Sequence, residues 1–160
     1  MKVAIVMGSD SDLPVMRKSA DTLKKFEIDF EMTVTSAHRS PERTRSLIKK
    51  FESNGTQVII AGAGGAAHLA GVIAAETILP VIGVPINSSP LQGFDALLAT
   101  VQMPGGIPVA TMAVGDAGAK NAAVLAAQIL SLCDKKISQR LNDFKKEMAL
   151  DVEKKDNKIK

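Results

Sequence analysis

Short apolar runs alternate along this chain with longer stretches in which apolar residues recur every three or four positions. Lys2–Met7, Ile28–Val34, the run beginning at Val58, Val81–Val84 and Val109–Val114 have the length and composition of strands. Helical spacing fills the intervals. It predicts helices from Leu13 to about Phe26, from Pro41 to about Ser53, from about Ala66 to Thr77, from Leu91 to Thr100 and from Ala117 to Cys133. A final helix carries Ile137, Leu141, Phe144, Met148 and Val152 on one face, to cover its own subunit or a neighbour. Ser11 or Asp12 before Leu13-Pro14, and Ser40 before Pro41-Glu42, are cap-plus-proline starts; Asn54-Gly55 is a stop and Pro80 a break. The first helix should turn Leu13, Met16, Ala20, Leu23 and Lys24 inward. Gln102–Pro108 is too rich in proline and glycine for regular structure, and Lys154–Lys160 reads as a frayed charged tail.

Strands alternating with helices imply an α/β domain, and short strands without strict alternation imply a parallel sheet covered on both faces. The expected fold is a three-layer αβα sandwich with a flavodoxin-like, doubly wound parallel sheet. Residues 1–133 would form its body, and residues 134–160 a C-terminal helix and tail of the same domain.

In such sheets ligands bind beyond the carboxyl ends of the strands. Three unusual segments each follow a strand: Gly8–Asp12, Ser36–Arg39 and Gly62–His68. They should share one edge, which also receives both histidines. In the third, glycine and alanine leave the backbone bare at a strand-to-helix corner, where helix amides can meet an anion; a tightly packed turn is the plainer alternative. Serine hydroxyls at the first corner can hold a phosphate and Asp12 can accept from sugar hydroxyls, although helix capping accounts for part of that cluster. The loop is neither a Walker phosphate loop nor a dinucleotide fingerprint. Arg39 can pair a phosphate bidentately or form a surface ion pair. His38 is the candidate for acid–base work, since unperturbed histidine titrates near neutrality.

Composition narrows the classes. The 160 residues suit one domain, and no apolar run approaches the ~20 residues of a membrane span. The N-terminus lacks the features of a signal peptide, so a cytoplasmic location is expected. The net charge of +3 belongs wholly to the segment from Asp134 onward, where bases and acids are mixed; with few aromatic residues, this argues against nucleic acid. One cysteine, Cys133, excludes an internal disulfide and a cysteine zinc cluster, and its place on an apolar helix predicts a core position. Two histidines without matching carboxylates do not make a metal site. Methionines read as packing residues, with Met103 placed where it can touch a ligand. The absence of Trp and Tyr argues against a flavin-binding module on the same fold.

Four segments in order resemble a known family: Gly8-Ser9-Asp10-Ser11-Asp12, Ser36-Ala37-His38-Arg39, Ala61–Leu69 with its Gly62-Ala63-Gly64-Gly65-Ala66-Ala67-His68 core, and Gln102–Thr111. Together they look like the signatures of the N5-carboxyaminoimidazole ribonucleotide mutases, the catalytic subunits of the carboxylation step in de novo purine synthesis. The resemblance implies a homo-octamer acting on a ribonucleotide without cofactor or metal, coupled functionally to an ATP-dependent carboxylating synthetase. It implies catalytic roles for His38 and His68, and substrate contacts from Gly8, Ser9, Ser11, Asp12, Ser36, Ala37, Arg39, Ala63, Gly64, Ala66, Ala67 and Leu69. By that analogy Ser9, Ser11 and Asp12 hold the phosphoribosyl part, Arg39 the phosphate, and the glycine loop with His68 the carboxylate. Ala70 stands where the family pattern has proline, Ser40 where it has threonine, and Asn87–Pro90 differs from its usual loop. A carbon-dioxide-dependent carboxylase is the related alternative.

Overall fold

The computed structural model describes all 160 residues, Met1–Lys160. Five strands, β1 (Lys2–Met7), β2 (Asp29–Val34), β3 (Thr56–Gly64), β4 (Val81–Ile86) and β5 (Ala110–Thr111), form one parallel sheet in the order β2-β1-β3-β4-β5. Helices α1 (Leu13–Lys25), α2 (Pro41–Ser53), α3 (His68–Glu76), α4 (Phe94–Val101), α5 (Asp116–Ser131) and α6 (Lys135–Asp156) cover both faces. This is the flavodoxin-like, doubly wound order. Its winding direction reverses beside β1, which leaves a crevice between β1 and β3.

The two faces are unequal. On one, α1, α5 and α6 enclose 21 buried apolar residues with β1, β3 and β4; on the other, α2 and α3 enclose 11. β1 lies between them and its Val3–Met7 are at most 1% exposed, so both faces of that strand had to be apolar. The α5 face is nearly all alanine, which lets that helix approach the sheet and α1 closely.

Several local expectations are corrected. Lys24 points to solvent, and Ser19 and Thr22 complete the inner face of α1 instead, their hydroxyls donating to Ala119 O (2.6 Å) and Lys18 O (2.8 Å). The proline-marked start of α1 has no side-chain cap from Ser11 or Asp12; a 3-10 turn at Asp10–Asp12 precedes it, with Ser9 and Asp12 capping each other's backbone. β5 is two residues long rather than six, an exposed edge beyond which only isolated bonds, such as Met112 N–H to Gly83 O, follow β4. α4 starts at Phe94, because Gln92 and Gly93 take left-handed conformations (φ 51° and 87°). Cys133 is exposed rather than buried: α5 ends at Ser131, and the cysteine lies in the turn to α6. That last helix is divided. Ile137 and Leu141 are buried and Phe144 packs edge-to-face on Phe26, whereas Met148 and Val152 lie in solvent. It continues to Asp156, so the charged tail beyond it is short.

Candidate active site

All strands run the same way, so the connections after β1, β2, β3 and β4 meet at one edge. They enclose a cavity of about 300 Å3. Gly8 N–H donates to Gly62 O at 3.1 Å, tying the first connection to the end of β3 across the crevice. The fourteen residues singled out from the sequence all line this cavity: Gly8, Ser9, Ser11 and Asp12 after β1; Ser36, Ala37, His38 and Arg39 after β2; Ala63, Gly64, Ala66, Ala67, His68 and Leu69 at the end of β3 and the start of α3. Ser88, after β4, is the fifteenth, and sequence reasoning missed it. Asn87–Pro90 has only turn composition. The edge rule that flagged the other three connections was the available signal.

Each loop is held from behind. Thr35, buried, donates its N–H to Met7 O (2.9 Å) and shares a hydroxyl bond with Thr44 (2.9 Å). Ser40 Oγ accepts the Ser36 N–H at 3.0 Å and donates to Ser36 O at 3.1 Å, so it closes the turn rather than capping α2. Ser36 Oγ in turn accepts the Arg39 N–H (3.1 Å) and Nε–H (3.4 Å). The Arg39 guanidinium has no carboxylate partner and faces the cavity uncompensated.

At the first corner, Asp12 Oδ2 accepts the Ser9 N–H at 3.1 Å, and Ser11 Oγ donates to Ser9 Oγ at 2.9 Å. Asp12 is only 3% exposed. Burial raises its pKa above the ordinary carboxylate value; the Ser9 and Gly8 amides pull it down, and the Asp10 charge adds a smaller upward push.

The third corner turns through Gly65 (φ 59°), where the lack of a β-carbon removes the steric cost, and Ala67 (φ 43°), where the left-handed backbone is held against that cost. That turn brings the start of α3, His68 and Leu69, to the cavity wall. The first amides of a helix have no partners within it and carry the positive end of its dipole. The turn also carries His68 to His38: Nε2 of His38 and Nδ1 of His68 are 2.7 Å apart, with rings edge-to-face at 88°. A single proton fits between two nitrogens at that distance, so one ring donates and the other accepts. Behind the pair a second cavity, about 320 Å3, is lined by Gly71, Val72, Ala99 and Met103. Met103 thus lies near the site rather than in the main core.

The arrangement offers, along one cavity, hydroxyls and an unpaired guanidinium, a proton-sharing histidine pair, and a helix N-terminus. That suits an anionic substrate on which a proton is moved.

The chain is also similar to proteins already known. A model of the AIR carboxylase family matches residues 2–151. The N5-carboxyaminoimidazole ribonucleotide mutase of Pyrococcus abyssi is 58% identical over 147 residues, covering 92% of this chain and 83% of that protein. The Escherichia coli K12 protein of the same name is 54% identical over 151 residues, covering 94% of this chain and 89% of its own. Among solved structures, Treponema denticola PurE superposes with a TM-score of 0.90 at 32% identity, covering 99% of this chain and 98% of that one.

Proposed function

This chain belongs to the AIR carboxylase family, and from that premise we propose that it is an isomerase of purine biosynthesis, an N5-carboxyaminoimidazole ribonucleotide mutase. The observation that carries the mechanism is the 2.7 Å contact between His38 and His68 in the cavity. Ser9, Ser11, Asp12 and Arg39 bind the phosphoribosyl group, and the amides after Gly64 take the carboxylate. His38 gives a proton to the exocyclic nitrogen as the nitrogen–carboxyl bond breaks and carbon dioxide forms. Carbon 4 of the imidazole then attacks that carbon dioxide, and its proton returns to His38. The cycle balances: the carboxylate moves from nitrogen to carbon, and one proton moves the other way. One residue can serve twice because the first step leaves it in the form that the second requires. His68 accepts from or donates to His38 throughout and so sets its tautomer and ring orientation.

Holding carbon dioxide beside carbon 4 replaces a bimolecular capture with a nearly unimolecular one, provided that water is kept out. Both rings are exposed on the isolated subunit. We infer that a second copy of the chain supplies the missing wall within a homo-octamer. The outer face of α4 supports self-association: Phe94, Leu98 and Val101 are 63, 45 and 49% exposed on one stripe. No helix is long and apolar enough to cross a membrane, and we place the enzyme in the cytoplasm beside the synthetase that makes its carbamate substrate.

The test is turnover of freshly prepared N5-carboxyaminoimidazole ribonucleotide without ATP, metal or bicarbonate, with His38→Asn as control. The 4-carboxylated isomer should form with the native protein and fall by at least ~100-fold in the variant. Product only from aminoimidazole ribonucleotide and high bicarbonate would replace the mutase with a carboxylase. Binding without either reaction would overturn the enzyme reading.

A further inference from the structure

Three small polar residues follow β4, and two of them have structural work. Ser89 Oγ accepts the Leu91 N–H at 3.2 Å and its carbonyl accepts the Gln92 N–H at 2.9 Å, which makes the turn into α4. Asn87 packs against Gly93, where an added β-carbon would stand 3.1 Å from the Asn87 Cα. The Ser88 hydroxyl makes no hydrogen bond within the protein, and the residue faces the cavity that holds His38, His68 and Gly64.

That hydroxyl, on an exposed residue, lies close against the glycine corner. A β-carbon at Gly64 would lie 1.7 Å from Ser88 Oγ and 3.0 Å from Ser88 Cβ. Gly64 does not have a left-handed backbone, unlike Gly65 next to it. Its missing side chain therefore leaves room rather than conformational freedom, and the atom that occupies the room is the serine hydroxyl, with Ile86 O 3.1 Å from where a β-carbon would stand. The connection after β4 thus delivers one unpaired O–H to the end of the cavity formed by the glycine corner.

We propose that Ser88 contacts the substrate, donating its hydroxyl to an oxygen of the carboxyl group while that group is detached. This rests on the mutase reading. The α3 amides hold the carboxylate well before and after transfer, when it is charged, but the intermediate carbon dioxide is neutral and their pull on it is weakest. A hydroxyl beside Gly64 adds one more donor, from a different connection, at the stage when the helix dipole contributes least. Its value is retention. A carbon dioxide that turns away is hydrated, so that carbamate and water leave as aminoimidazole ribonucleotide and bicarbonate.

The experiment measures the partition between these fates: 4-carboxylated isomer against aminoimidazole ribonucleotide released per turnover, together with KM, for the native enzyme, Ser88→Ala and Ser88→Thr. Losing one neutral hydrogen bond should raise the leaked fraction by about three- to tenfold in Ser88→Ala, with KM changed less than about twofold. Ser88→Thr keeps the hydroxyl and should restore much of the native partition. A Ser88→Ala enzyme that leaks no more than the native one overturns the proposal. A raised KM at unchanged partition also overturns it, by placing Ser88 on the nucleotide. If the native enzyme forms no isomer, the mutase reading falls and takes this proposal with it; isomer formation with an unchanged partition rejects the serine's role alone.

Discussion

Replacing Gly118 by alanine should damage this fold more than any neighbouring substitution of similar size. Gly118 lies in the first turn of α5, and a β-carbon there would stand 1.6 Å from the carbonyl oxygen of Ala113 and 2.6 Å from its carbonyl carbon. The obstacle is backbone, so no rotamer change relieves it. Restoring even a 3.0 Å separation moves the start of α5 by about 1.4 Å. Ala119, Ala122, Ala123, Ala126 and Ala127 on that helix are all fully buried. A gap of ~0.5–1 Å already forfeits a quarter to a half of each dispersion contact, and alanine side chains are too short to follow the sheet. We expect a loss of about 3 kcal/mol or more, at the upper end of overpacking effects. For a domain of this size that is a Tm lower by roughly 6–12 °C. The control is Gly105→Ala, which meets nothing within 4 Å and has no left-handed backbone; it should be neutral or stabilising by up to about 1 kcal/mol. Urea unfolding of both variants at one fixed protein concentration gives the answer. A Gly118→Ala unfolding free energy within about 1 kcal/mol of that of Gly105→Ala would refute the claim that α5 is held rigidly against this turn.

Two further outcomes follow from the geometry. Burial raises the pKa of Asp12, so above the ordinary carboxylate value of 3.8 the unfolded chain releases this proton before the folded one. Stability should therefore decline as pH rises through that window, and Asp12→Asn, which keeps an acceptor for the Ser9 N–H, should flatten the decline; parallel pH–stability curves would contradict this. Removing residues 145–160 should change stability by less than about 0.5 kcal/mol, because almost nothing of this subunit covers them. Removing residues 138–160 also deletes buried Leu141 and half-buried Phe144, the partner of Phe26, and should cost about 3–5 kcal/mol. Equal unfolding midpoints for the two truncations would show that α6 does not belong to this subunit's core.

Legibility in the sequence was uneven for physical reasons. α2 could be bounded by eye because Ser40-Pro41 and Asn54-Gly55 punctuate both ends, and the helix runs from Pro41 to Ser53. β1 stood out because a strand covered on both faces is apolar throughout. β5 was overestimated because Val109–Val114 has strand composition, while pairing depends on a neighbour that composition does not report. The place of Cys133 was misjudged because helical periodicity does not show where α5 stops. In the site, three loops were visible through their odd composition and the parallel-sheet rule. The meeting of His38 with His68 was not, since it depends on left-handed Ala67 turning α3 across the edge. Ser88 was hidden by ordinary neighbours.

The inequality of the two faces bears on how the chain is made. Every buried residue in the smaller core, from Ala4 to Val81, has left the ribosome before β4 is complete, and the last cavity residue, Ser88, follows at once. Eight of the 21 buried residues in the larger core, Ala119 to Leu141, come only afterwards. A nascent chain can therefore bring together all the groups of its cavity while one side of the sheet is covered by α1 alone. Until α5 and α6 arrive it presents the rest of that greasy side to the cell, and the last part of the chain to be made closes off the period in which it is most open to chaperones and to misassembly.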